Sequence, residues 1–132
     1  MNQQKPKRYF KTLVGAIGIT VFSLNNANAV DYTGPPITFE QVYANPDDQD
    51  LNLNYARQQA SQGDYLSAAA SLERMLYATP NWGTARLFLA ICLYHLDDLQ
   101  AAGRELDVLA ISDLPKDEQE IYKEYKAKVQ NQ

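Results

Sequence analysis

Cysteine and histidine are nearly absent from this chain, which has one residue of each type, Cys92 and His95. One cysteine excludes an intramolecular disulfide, and two ligands fall short of the four that a structural zinc site takes. Glycine-rich phosphate loops, dinucleotide fingerprints and activated-serine motifs are also missing. We therefore predict no catalytic residue, no metal ligand and no cofactor, with Cys92 as a small buried side chain and His95 solvated at a helix end. The alternatives are an intermolecular disulfide, or a thiol and imidazole acting together on one helix face.

Positive charge becomes scarce beyond Ala29. The whole chain has 12 Lys and Arg against 16 Asp and Glu, a net charge of -4. Four of the basic residues and none of the acidic ones fall within residues 1–29, so residues 30–132 carry 8 basic against 16 acidic residues, a net charge of -8. Nucleic acids and anionic lipid surfaces bind basic patches. The composition therefore predicts no nucleic-acid partner and favours a partner protein with a basic surface.

Long hydrophobic runs are also missing, since the longest one, residues 13–24, is well short of the roughly 20 residues of a membrane-spanning helix. The run follows a positive start made of Lys5, Lys7, Arg8 and Lys11. It precedes the small residues Ala27-Asn28-Ala29, a pattern typical of a signal peptide. We predict that residues 1–29 are a cleavable signal peptide and that the mature chain starts at Val30; a retained membrane anchor is the alternative. The expected location is the periplasm or the cell surface, with no stable membrane insertion after cleavage.

The most informative pattern present is an internal repeat, in which identical residues recur at one constant shift along the chain. The identical pairs are Leu53 and Leu87, Ala56 and Ala90, Asp64 and Asp98, Ala68 and Ala102, and Leu72 and Leu106. Small residues at fixed spacing let two antiparallel helices approach closely, and fixed periods indicate helical repeats. Between the helices of the first unit, Gly63 can adopt a left-handed conformation and Asp64 can cap the next helix. Thr79 and Pro80 are predicted to cap and open the helix that follows, and Asn45 and Pro46 repeat this start for the helix before it.

The segment Gly63-Asp64-Tyr65-x-x-Ala68, with Leu72, Leu76 and Pro80, resembles the tetratricopeptide repeat family. This resemblance implies helix-turn-helix units that stack into a right-handed superhelix, with a concave face for extended peptides or partner helices. The second unit departs from the pattern at Asp97, at Leu99 and at Leu114-Pro115, where the proline comes one residue late. A further segment, Thr38-Phe39-Glu40-Gln41-Val42 followed by Asn45-Pro46-Asp47-Asp48, is similar to the short repeat modules that precede outer-membrane barrels in some exported bacterial proteins.

These patterns together predict an all-α protein made of antiparallel helical hairpins. Residues 46–115 are expected to form two tetratricopeptide-like units, about 49–82 and 83–115. An extended lead-in with a short helix, residues 30–45, should precede them, and a capping helix, residues 116–132, should follow. The capping-box spacing of Thr38 and Gln41 predicts the short helix. Longer helices are expected at about 46–62, 64–78, 81–95 and 98–110, and at 116–130, where Ile121, Tyr125 and Val129 form a narrow apolar stripe.

The acidic cluster Asp47-Asp48-Gln49-Asp50 fits a helix start, because the helix dipole favours acids in the first turn. A calcium loop is not favoured. Counted from Asp47, its sixth position needs glycine and holds Asn52, and its twelfth position needs glutamate and holds Gln58.

The resemblance places the first helix of each unit on the concave face. In this sequence the corresponding positions include Leu53 and Arg57 in one unit and Leu87, Ile91 and Tyr94 in the other. We predict a groove in which Leu87, Ile91 and Tyr94 grip a peptide or helix of a partner, oriented by Arg57 and Arg86. The alternative is that the chain fills this groove itself. The candidates for that role are Phe39, Val42 and Tyr43 of the lead-in, or Ile121 and Tyr125 of the last helix.

The predicted function is a non-catalytic protein-protein interaction module, an adaptor or scaffold in the bacterial cell envelope that serves an assembly or secretion machine. A second hypothesis is a self-associating structural subunit of the periplasm or cell surface, built through the same apolar groove. A third is a hydrolytic or redox enzyme that uses Cys92 and His95. The repeat describes a surface and leaves the identity of the partner open.

Overall fold

The computed structural model describes residues 30–132. Its α-helices are α1 (Phe39–Ala44), α2 (Gln49–Ser61), α3 (Tyr65–Ala78), α4 (Gly83–His95), α5 (Leu99–Asp107) and α6 (Lys116–Gln130), with a 3₁₀ helix at Ile111–Asp113. No strand occurs within this range, and the predicted all-α class is confirmed. None of the helices described is long and apolar enough to cross a bilayer. The predicted signal peptide, residues 1–29, lies outside the described residues.

Four of the helices begin with side-chain caps, at Thr38, Asp48, Asp64 and Asp98, and the sequence predicts those at Thr38 and Asp64. At α1 the capping box is complete, because Thr38 Oγ1 accepts from the Gln41 N–H and Gln41 Oε1 accepts from the Thr38 N–H. Asp64 accepts from the Ser67 N–H at 3.1 Å at the start of α3. Asp98 accepts from the Ala101 N–H at 3.0 Å at the start of α5. Each cap satisfies a backbone donor that has no partner within its own helix.

Both predicted proline starts are wrong. Asn45 and Thr79 end α1 and α3, because their N–H groups donate to Val42 O at 3.1 Å and to Met75 O at 2.8 Å. Helix α2 begins three residues after Pro46, where the Asp48 carboxylate accepts from the Leu51 N–H at 3.0 Å. Helix α4 begins at Gly83 without a side-chain cap. In both places the proline lies in the turn before the helix rather than in its first turn.

Helix α5 ends at Asp107 rather than near residue 110. The 3₁₀ helix then leads to Leu114, which is buried. A Cβ atom added to Gly83 would lie 3.2 Å from Leu114 Cδ2, so this leucine packs closely against the start of α4. The chain leaves the helix early and brings Leu114 back to the core.

The repeat is also visible in the backbone. Helices α2 and α4 have 13 residues each, and their first residues, Gln49 and Gly83, are separated by the same shift as the repeated side chains. The turns after them share one hydrogen bond, from Asp64 N to Gln59 O and from Asp98 N to Leu93 O, both 2.9 Å. The left-handed residues of these turns are Gly63, with φ 82°, and Asp97, with φ 65°. The left-handed Gly63 is as predicted, and Asp97 adopts the same conformation, in which a side chain is disfavoured.

Consecutive helices pack against one another from α2 to α6, and α6 also contacts α4. Helix α4 lies at the centre, and residues 87–92 are buried without interruption. The four repeat alanines are among the most buried residues, namely Ala56, Ala68, Ala90 and Ala102. Their burial agrees with the close helix approach expected at these positions. The largest fully buried side chains are Leu72, Leu87, Ile91, Cys92 and Leu106.

Candidate functional site

Two residues of the predicted groove lie in the core. Leu87 and Ile91 are both 0% exposed, so neither is open to a partner. This finding corrects their predicted placement on an open groove. Leu53 and Tyr94 are partly buried and pack against the same core cluster. The chain itself therefore fills the groove predicted on α2 and α4, which is the alternative stated above.

Helix α6 covers the α4 side of the face through Tyr125, which is 3% exposed. The Tyr125 ring meets the Tyr94 ring edge-on at a centroid distance of 5.4 Å, and its hydroxyl lies 3.2 Å from His95 Nε2. The Lys128 ammonium lies 4.5 Å from the Tyr125 ring centroid, within the range of a cation–π contact. The His95 ring also stacks on Tyr65 at 4.5 Å. Tyr94 thus contacts α6 in this structure.

Polar contacts also hold α6 against α4 and α5. Thr84 Oγ1 donates to the Glu118 carboxylate at 2.8 Å, and Lys126 Nζ lies 2.7 Å from an Asp107 carboxylate oxygen. Partial burial raises the pKa of Glu118, and this effect is larger than the opposing effect of the hydrogen bond from Thr84, which lowers the pKa. Tyr122 donates to the Leu106 carbonyl at 3.3 Å. These contacts fix the position of α6 over the core.

Residues 30–37, called here the N-terminal arm, cover the α2 side of the same face. Arg57 Nη2 donates to the Asp31 carbonyl at 2.6 Å, and Ser61 Oγ accepts from the Tyr32 N–H at 2.7 Å. Gln58 makes two bonds to the Ile37 backbone, one with its N–H and one with its carbonyl, both 2.8 Å. Arg57, which the sequence assigns to a partner segment, therefore binds the chain's own backbone.

Arg86 is also used internally. Its Nη1 lies 2.6 Å from a Glu105 carboxylate oxygen, and its Nη2 donates to the Pro80 carbonyl at 2.7 Å. These contacts tie α4 to α5 and to the turn before α4. Both arginines of the predicted site thus have partners within the chain, Arg57 a backbone carbonyl and Arg86 a carboxylate.

Cys92 and His95 lie in different environments. Cys92 is 0% exposed, and burial raises the pKa of its thiol to about 12, so the thiol stays protonated at neutral pH. Partial burial, followed by the nearby Lys128 ammonium, lowers the pKa of His95. The imidazole Nε2 faces the Tyr125 hydroxyl. Over residues 30–132, the His, Cys, Asp and Glu side chains form no group of three or more that could hold a metal ion.

An open groove of about 940 Å³ lies away from the predicted face, where α1 meets the start of α2 and the end of α3. We call it the aromatic groove. Its apolar walls come mainly from Phe39, Tyr43, Met75 and Trp82. The remaining lining residues are Val42, Pro46, Asp47, Gln49, Asn52, Arg74, Ala78 and Thr79. Its volume is at the upper end of the range of known ligand pockets.

Helix α1 presents two aromatic side chains at the edge of this groove. Phe39 is 61% exposed and Tyr43 is 76% exposed, and their rings stack at a centroid distance of 5.8 Å. They are four residues apart and therefore share one side of the helix. Val42, at 5% exposed, is the one buried residue of α1. A six-residue helix anchored by one side chain leaves its aromatic pair uncovered.

One acidic residue lines the aromatic groove, and two more are chain neighbours of its lining. Asp47 lines it, Glu40 follows the lining residue Phe39, and Asp50 follows the lining residue Gln49, all three exposed. Arg74 is its one basic lining residue among those described. The ion pairs found in residues 30–132 all lie after residue 80, so these three carboxylates take part in none of them.

Sequence reasoning considered Phe39 and Tyr43 only as residues that fill the predicted groove, and it missed Met75 and Trp82. The available signal was the excess of apolar residues on a helix too short to bury them. Met75 and Trp82 belong to α3 and to the turn after it, so no local pattern connects them with α1.

Comparisons of the chain with family models, with curated proteins and with solved structures find no match.

Proposed function

We propose that the chain is a non-catalytic protein-protein interaction module, an adaptor or scaffold, and that it binds its partner through the aromatic groove. The observation that carries this proposal is the exposure of Phe39 and Tyr43, 61% and 76%, beside Met75 and Trp82. Exposed clusters of large apolar side chains mark interaction sites, and aromatic residues contribute much of the binding energy in such sites. This groove replaces the one that the sequence places on α2 and α4.

We further propose that the helices form two tetratricopeptide-like units capped by α6. The equal length of α2 and α4 and the matching turns at Gly63 and Asp97 support this arrangement. The order of packing, in which each helix contacts the next along the chain, is also in keeping with it. A repeat array of this kind offers a rigid support for a binding surface.

A role without catalysis is supported by the environment of the two residues that an enzyme would use. The Cys92 thiol is buried and has a raised pKa, whereas a nucleophilic cysteine needs an accessible thiolate. The His95 imidazole bonds to Tyr125 within the helix packing. The net charge of -8 over residues 30–132 also favours a protein partner over nucleic acid.

Export to the bacterial cell envelope is part of the proposal and rests on the pattern of residues 1–29. The periplasm is the favoured location and the cell surface the second. There the module would serve an assembly or secretion machine, in keeping with the similarity of the segment around Thr38 and Asn45 to modules that precede outer-membrane barrels.

Site-specific crosslinking in the native cell tests the proposed binding site. A photo-crosslinking amino acid replaces Tyr43 in one variant and Tyr77 in the other, because Tyr77 is 92% exposed but does not line the groove. We expect one discrete adduct from position 43, none from position 77, and loss of the adduct when Phe39→Ala is added. Equal labelling from the two positions, or none from either, would contradict the proposed site.

A further inference from the structure

We infer that the aromatic groove takes a partner segment in which apolar side chains are flanked by lysine or arginine. This inference rests on the interaction role proposed above and adds the chemistry of the partner. The apolar walls of the groove select the centre of the segment, and the unbalanced charge near the groove selects its flanks.

The apolar part follows from the lining. Phe39, Tyr43, Met75 and Trp82 offer aromatic and thioether surface around a space of about 940 Å³. Only apolar side chains of some size gain from contact with such walls, because the gain scales with the apolar area removed from water. Phe39 and Tyr43 provide most of this surface, because Met75 is 9% exposed and belongs to the core cluster. The groove therefore suits a segment that brings several large apolar side chains.

The basic flanks follow from charge complementarity. Residues 30–80 contain 7 acidic and 2 basic residues, a net charge of -5. One of the two basic residues, Arg57, is bound to the Asp31 carbonyl, which leaves Arg74 at the groove. Residues 81–132, by contrast, contain 9 acidic and 6 basic residues, a net charge of -3, and all the ion pairs of the described residues lie among them. Lysine or arginine beside the apolar centre of a partner would meet Glu40, Asp47 and Asp50, and complementary charge favours both encounter and register.

The same charges argue against a second copy of this chain as the occupant. Two grooves facing each other would bring together three carboxylates and one arginine from each molecule, an excess of negative charge. Like charges brought together at an interface oppose association. One segment of the chain itself does have the inferred chemistry, because residues 1–29 combine Lys5, Lys7, Arg8 and Lys11 with an apolar run. A test must therefore compare the chain with and without this segment.

The experiment measures binding of a short fluorescent peptide by polarisation. The probe has a centre of leucine and phenylalanine with lysines on both sides; one control replaces the lysines by glutamate, and another replaces the apolar centre by serine. The full chain and residues 30–132 are measured side by side. Residues 30–132 contain the whole described core, and a cooperative thermal melt must first be recorded to show that they are folded. Light scattering reports the oligomeric state.

We expect residues 30–132 and the full chain to bind the lysine probe and neither control. Raising the salt concentration should weaken binding, because exposed charges are screened. The double variant Phe39→Ala/Tyr43→Ala should weaken it by about tenfold or more, and Asp47→Asn/Asp50→Asn by about two- to fivefold. The matched variants Tyr77→Ala and Asp113→Asn lie outside the groove and should leave binding unchanged.

Other outcomes would overturn the inference in distinguishable ways. Equal binding of the lysine and glutamate probes would refute the charge argument and leave the groove as the site. Binding that survives Phe39→Ala/Tyr43→Ala would refute the groove as well, and with it the proposed function. Binding by residues 30–132 but not by the full chain would identify residues 1–29 as the occupant, and a concentration-dependent dimer lost in the aromatic variant would identify a second copy. If no probe binds, the inferred chemistry is wrong, and crosslinking at position 43 decides the proposed function separately.

Discussion

Replacing Leu87 by alanine distinguishes a core residue from a binding residue, because the two roles predict different thermal stabilities. The Leu87 side chain is 0% exposed at the centre of the core cluster. Truncation of a fully buried leucine costs about 2–5 kcal/mol, the sum of lost burial and the cavity left behind. A domain of this size has a free energy of unfolding of about 5–15 kcal/mol. Leu87→Ala should therefore remove a large part of the total stability.

The assay is thermal unfolding followed by circular dichroism at one pH and protein concentration. For a domain of this size, each kcal/mol shifts Tm by about 4–8 °C, so a loss of about 3 kcal/mol lowers Tm by about 12–24 °C. The matched control is Leu66→Ala in α3, where the same atoms are removed from a side chain that is 70% exposed. We expect the control to stay within about 0.5 kcal/mol of the wild type. Similar Tm values for the two variants would refute the placement of Leu87 in the core.

Three further predictions concern pH, the turns and processing. Folding lowers the pKa of His95, so the contribution of this residue to stability is complete above its ordinary pKa of 6.5 and is lost as the pH falls through the lowered value. Tm is measured at about pH 7.5 and at about pH 5. The fall in Tm between the two pH values should be smaller in His95→Gln than in the wild type. An equal fall in Tm in the two proteins would contradict this prediction. Both turn positions are left-handed, so Gly63→Ala should lower the free energy of unfolding, measured in urea, by about 1–2 kcal/mol, and Asp97→Gly should raise it by up to about 1 kcal/mol. Changes of opposite sign would be inconsistent with these turns. The sequence read by N-terminal sequencing of the protein isolated from cells should start at Val30, and a start within residues 1–29 would argue against the predicted cleavage.

The helices could be predicted because their signals are local. The capping box at Thr38, the left-handed Gly63 and the cap at Asp64 each depend on a few neighbouring residues, and all three are present in the structure. The start predicted at Pro46 failed because two caps competed within one short segment. Asp48 caps α2, and Asn45 is used to end α1. Local patterns identify both candidates but do not rank them.

The state of the predicted groove could be foreseen only in part, because the segments that cover it are distant from it in the sequence. The apolar excess of α4 was evident, and Tyr125 was named among the residues that could cover it. The N-terminal arm left no comparable signal, because Arg57 and Gln58 bind backbone atoms of Asp31 and Ile37 rather than their side chains. The aromatic groove was missed for a related reason, since it joins α1 to Met75 and Trp82, and the whole of α2 lies between them in the chain.

The position of the N-terminal arm has a consequence for the order of maturation. Its first residue, Val30, is 4% exposed, and its carbonyl accepts from Ser61 Oγ at 3.3 Å. A peptidase needs several residues on both sides of the bond it cuts to be accessible. If the bond after Ala29 is cut, the cut must come before the arm docks on α2, or the arm must first detach. Processing and folding would then compete in time, and a chain that folds too early would keep its leader.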